Sequence, residues 1–375
     1  MKRTLTLLAI PLLLVACTPK EEEGPIRIGY IGPLTGDAAS FGADTVNGAR
    51  LAVEEVNATG GINGRMVSLI AEDARCNGAD AASAARKLIS IDKVTAIIGG
   101  QCSSETLGAA PIAEEEKIVM ISPVSSSPDV THAGDYIFRV YPSDALKGTA
   151  LVNAFAKAGY SRIALLSENT DFCAGVRSAV QAALKEDMTI IFDETVEPGT
   201  KDFRTLLSRL KDQEFDVFIP NGQSDVTVSA MVQQMRELGL LQPIIGTDTA
   251  DSVTLGQTAK EAVEGMRALS VPSLAKNDPK GGPFIQKFEE EFRAPQVGPF
   301  FAALSYEATR LLADVIKTAG TEGEAIRNAL LTHPGYDSIV GTMTFDAQGD
   351  IRGIPFALKE FRSGELIEVE RIPIN

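Results

Sequence analysis

The sequence predicts an α/β protein built from two doubly wound, Rossmann-like lobes. Three observations carry that prediction. Apolar β-like runs alternate with helical patterns, the mark of βαβ units and a mostly parallel sheet. The rhythm passes through four strands and then begins again through four more. At 375 residues, the chain also exceeds what one ordinary core accommodates.

The first set of strands is expected over residues 26–31, 66–71, 95–98 and 118–122. After the first comes the turn Gly32-Pro33-Leu34-Thr35-Gly36. A helix follows, with Val46, Ala49, Val53 and Val56 on one face, and stops at the glycine pair Gly60-Gly61. Further helices are expected over 79–91 and 104–115. The second set comprises strands at 162–166, 189–192, 217–220 and 244–246, with helices at 174–185, 203–211 and 226–238. The tail departs from this rhythm. A long helix over 300–318 and a shorter one over 322–331 precede β-like segments at 341–345, 355–361 and 366–372.

The N-terminus reads as an export signal: Met1-Lys2-Arg3 is basic, and residues 5–15 are apolar apart from Thr6. That run is too short for a bilayer-spanning helix, which takes about 20 residues. LVAC, residues 14–17, resembles the lipobox of bacterial lipoproteins. The resemblance implies cleavage before Cys17, a lipid on Cys17 and a lipid-anchored, extracytoplasmic protein. Residues 17–25 would then form a polar tether. The formal net charge of −15 argues against nucleic acid, whose binding depends on neutralising phosphates. With Cys17 set aside, Cys76, Cys102 and Cys173 remain, so one disulfide and one free thiol are possible in three pairings.

Catalytic signatures are sparse. The two histidines, His132 and His333, stand in no metal-binding or nucleophile motif, and no GxSxG elbow occurs. We expect no metal, no cofactor and no enzymatic activity. A hydrolase built on Cys102 or Ser103 would lack a base. Anion binding is better served, because strand ends and helix N-termini meet in doubly wound lobes. Two such places carry hydroxyls: Ser103-Ser104, and Ser125-Ser126-Ser127. Serines there also serve simply as helix caps, and spacing alone does not separate the two roles. An amine on the ligand would need an acid; Glu168, Asp171, Asp225 and Asp248 all stand at second-half strand ends. Phe41, Tyr141 and Phe172 are the aromatics near such loops.

GPLTG, NGARLAVEEVNATGGINGR, CSSETLGAAPIAEEEKIVMISP and EGM at 264–266 resemble the leucine/isoleucine/valine-binding proteins of branched-chain amino-acid ABC transporters. The likeness runs from about residue 26 to about 361. It implies a type I periplasmic-binding fold: two lobes joined by three crossovers, closing on a small amino acid by hinge motion. It also implies a monomer that serves an ABC permease; a sensor of the same fold is the alternative. Lobe 1 would hold residues 26–142 and 271–345, and lobe 2 residues 143–270 and 346–375, with crossings at 141–144, 269–272 and 344–348.

Carried over position by position, the resemblance puts the ligand carboxylate on Ser103 and a second hydroxyl at Ser126. The Val124 carbonyl and Asp248 would take the amine, with the aromatic of the first turn at Phe41. Cys76 would pair with Cys102. Where relatives carry a tyrosine-glycine pair this chain has Phe172-Cys173, and where leucine-type binders carry a tyrosine it has Asn221-Gly222-Gln223. Phe172 and Gln223 are therefore expected to reshape the side-chain pocket.

Overall fold

The computed structural model describes residues 24–373. The export segment, Cys17 and most of the tether lie outside the described residues. The first lobe opens with β1 (Ile26–Gly32), α1 (Ala39–Ala58), β2 (Val67–Asp73), α2 (Gly78–Arg86), β3 (Ala96–Ile98), α3 (Ser103–Glu115), β4 (Met120–Ser122) and β5 (Ile137–Arg139). Its five strands are all parallel, in the order β2-β1-β3-β4-β5. β1 is buried at every position except Arg27, because helices cover both faces of the sheet.

The second lobe repeats the plan with α4 (Asp144–Ala158), β6 (Arg162–Glu168), α5 (Asp171–Ala183), β7 (Thr189–Val196), α6 (Arg204–Ser208), β8 (Val217–Asn221), α7 (Asp225–Glu237), β9 (Ile245–Gly246), α8 (Val253–Ala259) and β10 (Arg267–Ser270). A parallel bridge between Phe218 and Ile244 joins the β7-β6-β8 strands to β9 and β10. The two parallel sheets thus share one order, with β6 in the place of β1 and β8 in that of β3.

The chain then returns to the first lobe. There it forms α9 (Gly281–Phe292), α10 (Pro299–Ala319), α11 (Gly323–Leu331) and the small antiparallel sheet β11 (Tyr336–Ser338), β12 (Gly341–Phe345) and β13 (Ile351–Arg352). It ends in the second lobe with β14 (Phe356–Arg362) and β15 (Glu365–Ile372), added antiparallel beside β10. α10 lies close against α1: a Cβ at Gly48 would meet the Ala302 carbonyl oxygen at 2.1 Å, so a larger residue there would push the helices apart. β15 alternates between exposed and half-buried positions, as an edge strand covered on one face should.

The chain changes lobe at three places. Tyr141 packs in the first lobe's core and Leu146 against the second's; Leu269 belongs to the second and Val271 to the first. The third passage lies later than the sequence reading placed it. β13 pairs with β12, and Ile351 and Ile354 pack in the first lobe, whereas Phe356 packs in the second. Crossing therefore occurs between Ile354 and Phe356, not at 344–348. The apolar residues beyond the Gln348-Gly349-Asp350 turn decide it, because they have a first-lobe core to join.

Seven elements went unpredicted: β5, β10, β11, β13, α4, α8 and α9. The four strands are four residues or fewer, too short for a clear period. Among the described residues, no helix is long and apolar enough to cross a membrane.

Candidate functional site

In an open doubly wound sheet the crevice lies at the carboxyl ends of strands, where the order reverses. Here that point lies between β1 and β3 in the first lobe and between β6 and β8 in the second. The loops leaving these strands face each other. They enclose a small cavity of about 40 Å³ lined by Ala38, Phe41, Gln101, Cys102, Ser103, Val124, Ser126, Phe172, Gln223, Asp248 and Thr249. The seven residues that the resemblance placed at the ligand, Phe41, Ser103, Val124, Ser126, Phe172, Gln223 and Asp248, all line it. A wider cleft of about 580 Å³ lies alongside and shares Ala38 and Gln223 with the cavity. Asp37, Arg75, Glu168 and Asp171 stand on its walls.

The lobes meet around this space. The Val253 N–H donates to the Val297 carbonyl (3.0 Å) and the Thr254 N–H to that of Gln296 (3.2 Å), from α8 to the loop before α10. Lys201 pairs with Asp37 across the cleft mouth. The two lobes are in direct contact in this structure.

The first-lobe wall is built by a tightly folded loop. β3 ends at Gly99-Gly100, and a Cβ on Gly100 would come within 2.4 Å of the Glu105 Cβ. That closeness lets Glu105, in the first turn of α3, reach back over the loop. Its carboxylate accepts the N–H groups of Gln101 (3.0 Å), Cys102 (3.0 Å) and Cys76 (2.9 Å). Burial pushes its carboxyl up to about 7, against the pull of those three donors. Cys76 and Cys102 form a disulfide across the same loop.

Ser103 begins α3. The N–H groups of a helix's first turn have no intrahelical acceptor, and the helix adds a partial positive charge there. The Ser103 hydroxyl accepts the Ser127 N–H (3.1 Å), which leaves its own proton to donate. This corner can therefore hold a carboxylate oxygen. Ser125 turns inward, with its hydroxyl within 3.0 Å of the Gly100 carbonyl.

The second-lobe wall is charged. Lys147 on α4 is completely buried, and its ammonium bonds the carboxylates of both Asp144 and Asp248. The Tyr141 hydroxyl donates to Asp248, and the Ser126 hydroxyl donates to Asp144 (2.9 Å). Rings of Tyr141, Phe172 and Phe356 lie 5.4, 5.7 and 5.8 Å from the ammonium. Burial alone would depress the Lys147 ammonium, but the two carboxylates outweigh it and hold the group above its usual value. Burial, reinforced by Asp248, raises Tyr141 well above the ordinary phenol, so it acts as the donor.

Two of the residues singled out from the sequence thus already have partners within the protein: Asp248 with Lys147 and Tyr141, Ser126 with Asp144. The Gln223 Oε1, by contrast, is buried without a hydrogen-bond partner among the described residues. Glu168 accepts the N–H groups of Gln223 (2.6 Å) and Gly199 (3.3 Å), and Asp225 binds the Ser252 hydroxyl (2.7 Å). Both acids are structural in this arrangement. Cys173 lies fully buried in the second-lobe core, its thiol pushed up by burial, and it does not line the cavity.

Sequence reasoning missed Lys147. Its signal was present: Lys147, Leu151 and Phe155 recur at a spacing of four on one helix face, and Leu151 and Phe155 are fully buried. A lysine in an apolar stripe marks a buried charge.

Comparison with known proteins agrees with this architecture. The leucine-specific-binding protein of Salmonella typhimurium is 28% identical over 97% of this chain and 98% of its own length. The Leu/Ile/Val-binding protein of Escherichia coli is 28% identical over 90% and 91%. The branched-chain amino acid transporter substrate binding protein of Streptococcus pneumoniae, solved in complex with isoleucine, superposes with a TM-score of 0.84. It is 26% identical, and the match covers 92% of this chain and 99% of that one. Residues 25–354 match the periplasmic binding protein family, and the chain belongs to it.

Proposed function

We propose that this protein is the solute-binding component of an ABC transporter. In this reading it captures a small carboxylate-bearing solute, with branched-chain and other neutral amino acids foremost, and presents the closed form to a membrane permease. The observation that carries the reading is the meeting of Ser103, at the start of α3, with Asp248 across one apolar-walled cavity. The ligand carboxylate sits on the Ser103 hydroxyl and the α3 N-terminus. The Val124 carbonyl and Asp248 face an amine, and Phe41, Phe172 and Gln223 shape the side-chain space. Because the cavity is made by both lobes, a bound solute stabilises the closed form over the open one, and closure is what a permease can read. The named relatives and the isoleucine complex favour a branched-chain amino acid.

The export signal and LVAC support a chain anchored by a lipid on Cys17 outside the cytoplasm. Nothing favours the sensor alternative over transport. A thermal-shift screen of the twenty amino acids and small carboxylates tests the ligand class, since a ligand of the folded state raises the melting temperature by mass action. The reading predicts a shift with at least one neutral amino acid and a smaller one in Ser103→Ala at the same concentration. A flat screen across all of them removes the ligand assignment.

A further inference from the structure

We infer that Lys147 is a specificity-determining residue that relaxes the site's demand for an ammonium, so that 2-oxo and 2-hydroxy acids are accepted alongside the matching amino acids. The inference rests on the carboxylate clamp proposed above and concerns the group next to that carboxylate.

A binding site rejects an analogue lacking one polar group chiefly because its own buried partner is left unpaired. For an amino-acid site the partner is the acid facing the amine, here Asp248, which is 4% exposed. In this protein Asp248 does not depend on the ligand. Lys147 bonds one of its oxygens and Tyr141 the other, and both come from within the chain. A ligand with a carbonyl or hydroxyl beside its carboxylate leaves Asp248 as well paired as before.

The charges point the same way. An ammonium placed on Asp248 would meet the Lys147 ammonium across the same carboxylate, and like charges oppose each other through it. Lys147 cannot swing away to make room. Its side chain is fully buried, and Tyr141, Phe172 and Phe356 surround its head. Asp144 restores part of the negative charge, but it too is buried and is engaged by Lys147 and Ser126. A ligand that loses its ammonium therefore loses less here than it would against an uncompensated acid. The carboxylate end is a separate contact: Ser103 bonds the Ser127 N–H, whereas the cluster reaches that loop through Ser126.

The test is calorimetric titration of the purified protein with leucine, valine and phenylalanine, each against its 2-oxo and 2-hydroxy counterpart. In the unaltered protein, at least one amino acid and its 2-oxo or 2-hydroxy partner should bind within about tenfold of each other. Lys147→Gln frees Asp248 to select an ammonium and should move the ratio at least about tenfold toward the amino acid. Because that change leaves two buried carboxylates without a cation, the double variant Asp144→Asn/Lys147→Gln is measured beside it. It keeps Asp248 as the sole charge of the cluster and should show the same shift. A preference for the amino acid of about a hundredfold or more in the unaltered protein overturns the inference. So does a ratio that stays the same in the double variant. Either result leaves the clamp reading intact, provided Ser103→Ala weakens the amino acid and its partner alike. Failure of every pair to bind overturns the clamp reading and this inference together.

Discussion

The two walls of the cleft are made differently. The first lobe presents hydroxyl and N–H donors on a loop held by a disulfide, a buried glutamate and a glycine that lets them approach. The second lobe presents a cluster of two carboxylates and one ammonium gathered from α4 and the loop after β9. One wall is stiffened by local connections within about thirty residues of chain. The other depends on groups about a hundred residues apart. In the proposed reading the difference separates two tasks: the first wall would hold what all the solutes share, and the second would set what charge sits beside it.

The comparison breaks most severely at Lys147. Lys147→Met leaves Asp144 and Asp248 buried against each other without a cation. Removing one partner of a buried ion cluster costs about 3–5 kcal/mol. Urea unfolding should show that loss, and Asp144→Asn added to Lys147→Met should recover a large part of it. An unchanged midpoint in the single variant would mean that the cluster contributes nothing to the second wall.

The first wall should yield next. The Cys76–Cys102 bond closes a loop with a sequence separation of 26. Loop-entropy arguments value such a bond at about 3 to 4 kcal/mol. Replacing both cysteines by serine should lower the urea midpoint accordingly. It should also weaken carboxylate binding more than any change at the outer cleft, because Ser103 directly follows Cys102. If stability falls but affinity holds, Glu105 alone is enough to position the loop.

Glu105 also gives the first wall a pH dependence of its own. Its carboxyl stands near 7 in the folded protein against an ordinary 4.5. Between those values the unfolded chain has released the proton and the folded one keeps it, so stability falls as pH rises through that window and levels off above it. The full span amounts to about 3 kcal/mol. Asp44, raised by burial to about 6, slopes the same way. Asp216 in the second lobe is held below its usual range, chiefly by Arg162, and its contribution is lost instead as pH falls. Unfolding measured from pH 4.5 to 7.5 should show the decline, and Glu105→Gln should flatten most of it.

What the sequence made legible follows the same division. The resemblance reached Ser103, Ser126 and the Cys76–Cys102 pair through contiguous motifs, where spacing alone left the serines as possible helix caps and the cysteines open to three pairings. β1, β6 and α10 were visible because their burial is long and regular. Lys147 was obscure because its meaning depends on Asp248, 101 positions away, and on rings from three separate segments. The third crossing, which the resemblance put at 344–348, lies later because the core that Ile351 and Ile354 join is assembled by tertiary structure.

The smallest effect isolates the shared end of the ligand. Ser103→Ala removes one hydroxyl donor but keeps the backbone N–H groups and the α3 dipole. A hydrogen bond to a charged group contributes about 1.5–3 kcal/mol, so affinity for a carboxylate should fall about tenfold to a hundredfold without vanishing. The Ser127 N–H also loses its acceptor, which should lower the melting temperature slightly. Ser103→Thr keeps the hydroxyl and should retain most of the affinity. Because the second wall is untouched, amino acids and their 2-oxo counterparts should weaken by the same factor. An unequal loss would show that the walls are coupled and that Ser103 helps choose the ligand's charge as well as hold its carboxylate.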